Sequence, residues 1–162
     1  MKLINWGKAV LAALLVSFSV NAVKAQSPDA QFGVGIVMTE GIFGGQLQYA
    51  VTPAFHIGTQ FGFQAISQGS NSTNDILFAP YGKFLFMGTP TFKPFIQGQF
   101  VILNSGGSSS SGLNLAGGAE YFANRNLGIF GGITVLSLGL NPAPTRTVIG
   151  LGGAFLGVEW FF

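Results

Sequence analysis

Lys83, Glu120 and Glu159 are the residues whose types and placement come nearest to chemistry. They are one ammonium and two carboxylates, each two to four positions from the end of a segment in which apolar and polar side chains alternate. Segments standing side by side would bring the three groups to similar depth. The expected role is a buried ion-pair network, flanked by Gln48, Gln97 and Gln99, that holds strands in register, since charges removed from water must be paired. A polar gate or a ligand contact is the alternative role for the same groups. His56 is the single histidine. Triad chemistry needs a nucleophile, a base and an orienting acid within hydrogen-bond reach. The next position on the histidine's face is Gly58 rather than a serine, so a structural histidine is expected and no catalytic residue is assigned. Gly33-x-Gly35, Gly131-Gly132 and Gly150-x-Gly152-Gly153 lack the strand-then-helix setting of a phosphate cradle. They suit curvature and close packing instead. No metal-ligand spacing is present, and no cofactor is expected.

The elements that must position these residues follow a leader. Met1 to Ala25 has the pattern of a secretory signal: Lys2 and Lys8, an apolar run from Ala9 to Val20, then small residues at Val23 and Ala25. Twelve apolar residues rise only about 18 Å as a helix, short of a bilayer core of roughly 30 Å. Cleavage is expected after Ala25, leaving Gln26 to Phe162 as one domain. Three of the seven basic residues leave with the leader while all five acids stay, so the mature charge is 4 − 5 = −1. Nucleic-acid binding, which needs clustered Lys and Arg, is excluded. With no cysteine, a disulfide scaffold, a thiolate metal site and a lipoprotein anchor are excluded too. Nine charges in the mature chain are about a quarter of the usual share for a soluble domain.

Period-two alternation, the signature of two-faced strands, recurs in eight segments. They run Gln31 to Met38, Phe43 to Val51, Phe55 to Ile66, Ile76 to Phe86, Phe92 to Leu103, Leu113 to Phe122, Leu127 to Leu138 and Val148 to Phe162. After the first loop the connections alternate short and long: 52–54, 67–75, 87–91, 104–112, 123–126 and 139–147. The stretch 104–112 (NSGGSSSSG) reads as a flexible tip. Short periplasmic turns and longer outer loops are the asymmetry of outer-membrane barrels, which have even strand numbers.

A soluble barrel alternates as well, with its apolar face inward. Charge placement separates the two readings. Lys83, Lys93, Glu120 and Glu159 all fall on the Gln/Gly face and none on the Phe/Leu/Ile face. A Lys or Arg facing lipid at mid-bilayer costs about 2–4 kcal/mol, so the uncharged face is assigned to lipid. Tyr49, Phe55, Phe84, Phe86, Phe92, Tyr121 and Trp160 fall near the periplasmic ends of that face, where an aromatic girdle belongs.

The C-terminal Gly157-Val158-Glu159-Trp160-Phe161-Phe162 resembles the terminal assembly signal of outer-membrane barrels, with Gly157, Trp160 and Phe162 at the matching places and Phe155 where a polar residue is usual. Residues 118–127 resemble a strand–turn–strand of small OmpA/OmpX-like barrel domains. Ala79-Pro80-Tyr81-Gly82-Lys83-Phe84 and Lys93-Pro94-Phe95-Ile96 are similar to their fourth and fifth strands. The resemblance covers nearly the whole mature chain. It implies an all-β, eight-stranded antiparallel up-and-down transmembrane barrel in a bacterial outer membrane. Outer-membrane lipid, periplasmic chaperones and the barrel assembly machinery are the partners it implies.

The functional expectation is a structural or surface-interaction role, because the interior of an eight-stranded barrel is about filled by side chains. A narrow channel for small solutes or ions is the runner-up. A lipid-modifying enzyme built around His56 comes third.

Overall fold

The computed structural model describes residues 32–39, 41–68, 71–124, 126–141 and 146–162. The leader, its cleavage site, Glu40 and Arg125 lie outside the described residues. Nine strands follow one another: β1 (Phe32–Thr39), β2 (Ile42–Thr52), β3 (Phe55–Gln68), β4 (Asn71–Leu85), β5 (Phe92–Ser105), β6 (Ser108–Phe122), β7 (Leu127–Asn141), β8 (Arg146–Ile149) and β9 (Ala154–Phe161). Every neighbouring pair is antiparallel. The order β6-β5-β4-β3-β2-β1-β9-β7-β8 closes into a barrel through the β6–β7 pairing. The strands β8 and β9 lie end to end along the same edge of β7. They form one stave, so the barrel has eight, as the alternation predicts. Closure leaves no sheet edge along the lower barrel, which is how a β-structure satisfies its backbone in lipid.

Three sequence expectations change in detail. The last segment is not continuous. The ladder breaks at 150–153, where Gly150-Leu151-Gly152-Gly153 leaves extended pairing, and it does so opposite a bulge at Val135 of β7. Gly152 N–H donates to Thr134 O at 2.7 Å and Gly150 N–H to Val135 O at 3.1 Å, so the break is still hydrogen-bonded. The expected loop at 67–75 is largely strand, because β3 continues to Gln68 and β4 resumes at Asn71. The serine-rich stretch is not a flexible tip. Ser105 pairs with Ser108, Asn104 with Ser109 and Leu103 with Ser110. Gly106 and Gly107 carry φ of 55° and 84°, the two consecutive positive values of the two-residue turn that matches strand twist. Two glycines at the turn thus outweigh the low strand propensity of serine.

The two faces have opposite characters. Outward residues are large and apolar: Ile36, Phe43, Phe61, Phe63, Ile76 and Phe78 are all exposed, Phe43 at 69%. Inside, Val37, Leu85, Phe95, Ala116, Phe130 and Phe155 form an apolar cluster. Within it the ring centroids of Phe95 and Phe155 are 6.2 Å apart and those of Phe130 and Phe155 6.4 Å. Below it Phe122 and Phe161 stack at 6.0 Å. The sequence-predicted girdle stands at the short-turn end. Phe92 pairs with Tyr121, Phe55 with Phe84, and Trp160 lies between Val34 and Leu127.

Candidate functional site

Parity decides which side chains enter the barrel. On β4, Tyr81, Lys83 and Leu85 alternate with Pro80, Gly82 and Phe84, so the first set is buried and Lys83 is 1% exposed. On β6 the same rule turns Ala116, Glu120 and Phe122 inward. On β9 it turns in Phe155, Glu159 and Phe161. Glu159 is flanked in register by Gly35 on β1 and Gly128 on β7, which leave room for its side chain. Lys93 on β5 pairs directly with Glu120.

These strands bring the three expected groups together across the lumen. Lys83 Nζ lies 2.8 Å from Glu120 Oε2 and 3.3 Å from Glu159 Oε1. Both bonds are charge-assisted and shielded from solvent, the setting in which such bonds are strongest. The ammonium also stands 5.3 Å from the ring centroid of Phe130 and 5.5 Å from that of Phe95. That is within range for a cation–π contact. Lys93 Nζ stands 5.1 Å over Phe122. Four inward charges, two of each sign, thus share the lower interior with Phe95, Phe122 and Phe130.

Amides extend the cluster upward. Gln46 Nε2 donates to Glu159 Oε2 at 2.7 Å, Gln60 Nε2 to Gln46 Oε1 at 3.0 Å, and Thr39 Oγ1 to Gln60 Oε1 at 3.5 Å. A separate polar group runs from Tyr81 OH to Gln48 Oε1 at 2.8 Å. Gln48 Nε2 then stands 3.0 Å from His56 Nδ1. With the amide donating there, the imidazole carries its proton on Nε2. Among the described residues Nε2 has no hydrogen-bond partner, and neither does Glu120 Oε1. His56 is fully buried, pairs in register with Lys83 and meets the edge of Phe161 at 6.3 Å.

Of the expected network, Lys83, Glu120 and Glu159 join one another, while Gln48 bonds Tyr81 and His56 in a group of its own. Gln97 and Gln99 are inward and buried, yet Gln97 Nε2 donates to Gln99 Oε1 at 2.8 Å on their own strand. They form a separate pair. Gln46, Gln60 and Thr39 extend the triad, and Tyr81 and His56 partner Gln48; sequence reasoning did not include these five. Their inner parity was readable. Which strands face one another across the lumen was not.

At the C-terminus, Gly157 is inward, and the Phe130 ring occupies the space a Cβ would need. Trp160 is outward in the girdle, and Phe162 N–H donates to Phe32 O at 2.9 Å, closing the seam between the chain's two end strands. Among the described residues no cluster of metal-ligating side chains is found.

No protein-family model matches this chain, and no curated protein matches it. Solved structures do. The N-terminal β-barrel domain of Pseudomonas aeruginosa OprF superposes with a TM-score of 0.59 at 16% identity, covering 84% of this chain and 98% of that one. A de novo designed transmembrane β-barrel gives 0.52 at 16% identity, covering 86% and 100%. Neisserial surface protein A (NspA) gives 0.50 at 16% identity, covering 82% and 96%. The chain has the fold of the small eight-stranded outer-membrane barrels.

Proposed function

We propose that this protein is an integral outer-membrane barrel with a structural or surface-interaction role, its lumen closed to diffusion and carrying no enzymatic chemistry. One observation carries the reading: the polarity is inverted relative to a protein dissolved in water. Lys83, Glu120 and Glu159 are 0–1% exposed while Phe43, Ile36 and Phe63 stand outside. Each large apolar side chain left in water forfeits about 1.5–3 kcal/mol of transfer free energy, so the whole wall would forfeit on the order of tens. Acyl chains remove that cost. The ion triad, its amide extensions and the phenylalanine cluster stack along the lumen, which supports closure. Gly157, Trp160 and Phe162 fit a terminal assembly signal read by the barrel insertion machinery after periplasmic escort.

Two measurements test this. In detergent gels the unboiled barrel is expected to migrate ahead of the boiled chain. In planar bilayers it is expected to give no steady single-channel steps. An absent mobility shift overturns the membrane reading, and reproducible conductance overturns closure in favour of a narrow channel.

A further inference from the structure

The barrel wall is not of even height. Counted from the aromatic girdle, the outward apolar belt reaches Phe63, eight positions beyond Phe55 on β3, and Ile76, eight from Phe84 on β4. On β5 it reaches Ile102, ten from Phe92, and on β6 Leu113, eight from Tyr121. On the first hairpin it stops at Met38, six positions from Phe32, and at Phe43, six from Tyr49. From the girdle, six positions at 3.3 Å each, tilted about 40°, rise only about 15 Å, against about 20 Å for the eight positions on β3, β4 and β6. The wall at β1–β2 is therefore about 5 Å lower than the wall beside it.

A gap opens above it. Among the described residues β2 pairs with β3 only as far as Gly44 with Gly62, and β3 from Phe63 to Gln68 pairs with β4 alone. On the other side β1 ends its pairing with β9 at Thr39 opposite Phe155, and among the described residues β8 pairs only with β7. Two strand edges thus face each other across the space that two further strands would fill. Around the rim stand some of the most exposed apolar side chains of the molecule: Ile36 at 68%, Phe43 at 69%, Phe63, Ile149 and Leu151. These hold lipid close to the hairpin. Open strand edges, however, do not persist against hydrocarbon, where each unsatisfied backbone group costs several kcal/mol.

We infer that the β1–β2 face thins the outer leaflet, so that lipid headgroups and their water descend into the gap between β3 and β8 and solvate the two edges. The inference rests on the membrane reading above. Local thinning by a few ångströms is the ordinary response to a hydrophobic span that is too short, and it costs fractions of a kcal/mol per ångström. That is less than leaving several backbone groups bare. The partner is thus a phospholipid headgroup layer, held by the shape of the wall.

The chain contains no cysteine, so single thiols can be placed cleanly. Phe43→Cys and Leu115→Cys lie on outward faces of β2 and β6, half-way round the barrel from each other and each six positions above a girdle tyrosine. Tyr49→Cys and Tyr121→Cys mark the girdle below them. Each variant, labelled with an environment-sensitive fluorophore, is folded into dioleoylphosphatidylcholine vesicles. Quenching by headgroup-level and mid-chain nitroxide lipids then gives its depth. The label at 43 is expected about 5 Å nearer the headgroups than the label at 115, with 49 and 121 at equal depth. Lengthening the hairpin by two residues on each strand is expected to abolish the difference. Equal depths at 43 and 115 overturn the inference. So does a displacement shared by 49 and 121, which means a tilted rigid barrel. Exclusion of the label at 43 from both quenchers overturns it in favour of a second copy seated on the edges. Failure of lipid to quench any of the four labels would instead bring down the membrane reading itself.

Discussion

Lys83 stands between two carboxylates that come from strands its own strand never pairs with. The contact therefore ties β4, β6 and β9 across the lumen rather than along the ladder. Its loss should be costly in a way that loss of one carboxylate is not. Lys83→Met leaves Glu120 and Glu159 facing each other in a buried space, and about 3–5 kcal/mol of stability is expected to go. In Glu159→Gln, Lys83 keeps Glu120, and the new amide oxygen can still accept from Gln46. A loss of about 1 kcal/mol or less is expected there. Urea unfolding in lipid vesicles measures both, and equal losses would contradict this reading of the triad. The triad was legible in the sequence because parity and distance from the strand end sufficed to place it. The Gln46–Gln60–Thr39 branch was not. Those residues share the inner face with many other polar positions, and only the ring closure through β1–β9 shows which of them meet.

Along the elements, the wall is set by alternation, and a one-residue slip sends every later side chain of a strand to the wrong face. The bulge at Val135 makes a sharp test. Ile133 pairs with Gly117 and Thr134 with Ala116, then Leu136 pairs with Leu115, so Val135 is the extra residue. Deleting it preserves both faces of β7, and the barrel is expected to keep its heat-dependent gel shift. Deleting Ile96 from the unbulged middle of β5 reverses the residues on one side of it, and that shift is expected to vanish. The turn at Gly106–Gly107 gives a milder prediction. Gly107→Val forces a β-branched residue to φ near 84°, at about 1–2 kcal/mol. Faster amide exchange confined to residues 103–110 is the expected sign, while exchange that spreads to the girdle would contradict it. The hairpin tips were the least legible elements. Serine and asparagine runs carry loop composition, and neither the paired register across them nor the glycine break at 150–153 leaves a periodic signal.

For the molecule as a whole, the number of staves and the direction of the two faces were legible, because both follow from period-two patterning and the scarcity of charge. The uneven height of the wall was harder to see. It depends on where pairing stops on adjacent strands, and the first segment looked merely short. Trp160 reports directly on whether the Phe/Leu/Ile face meets acyl chains. A chain beginning at Gln26 contains that tryptophan alone, and the indole is half exposed on the outward face of the girdle. Folded into vesicles whose acyl chains carry bromine, the barrel is expected to lose most of its tryptophan emission while keeping its sheet circular dichroism. Undiminished emission, together with the same sheet signal from a monomer in plain buffer, would contradict the assignment.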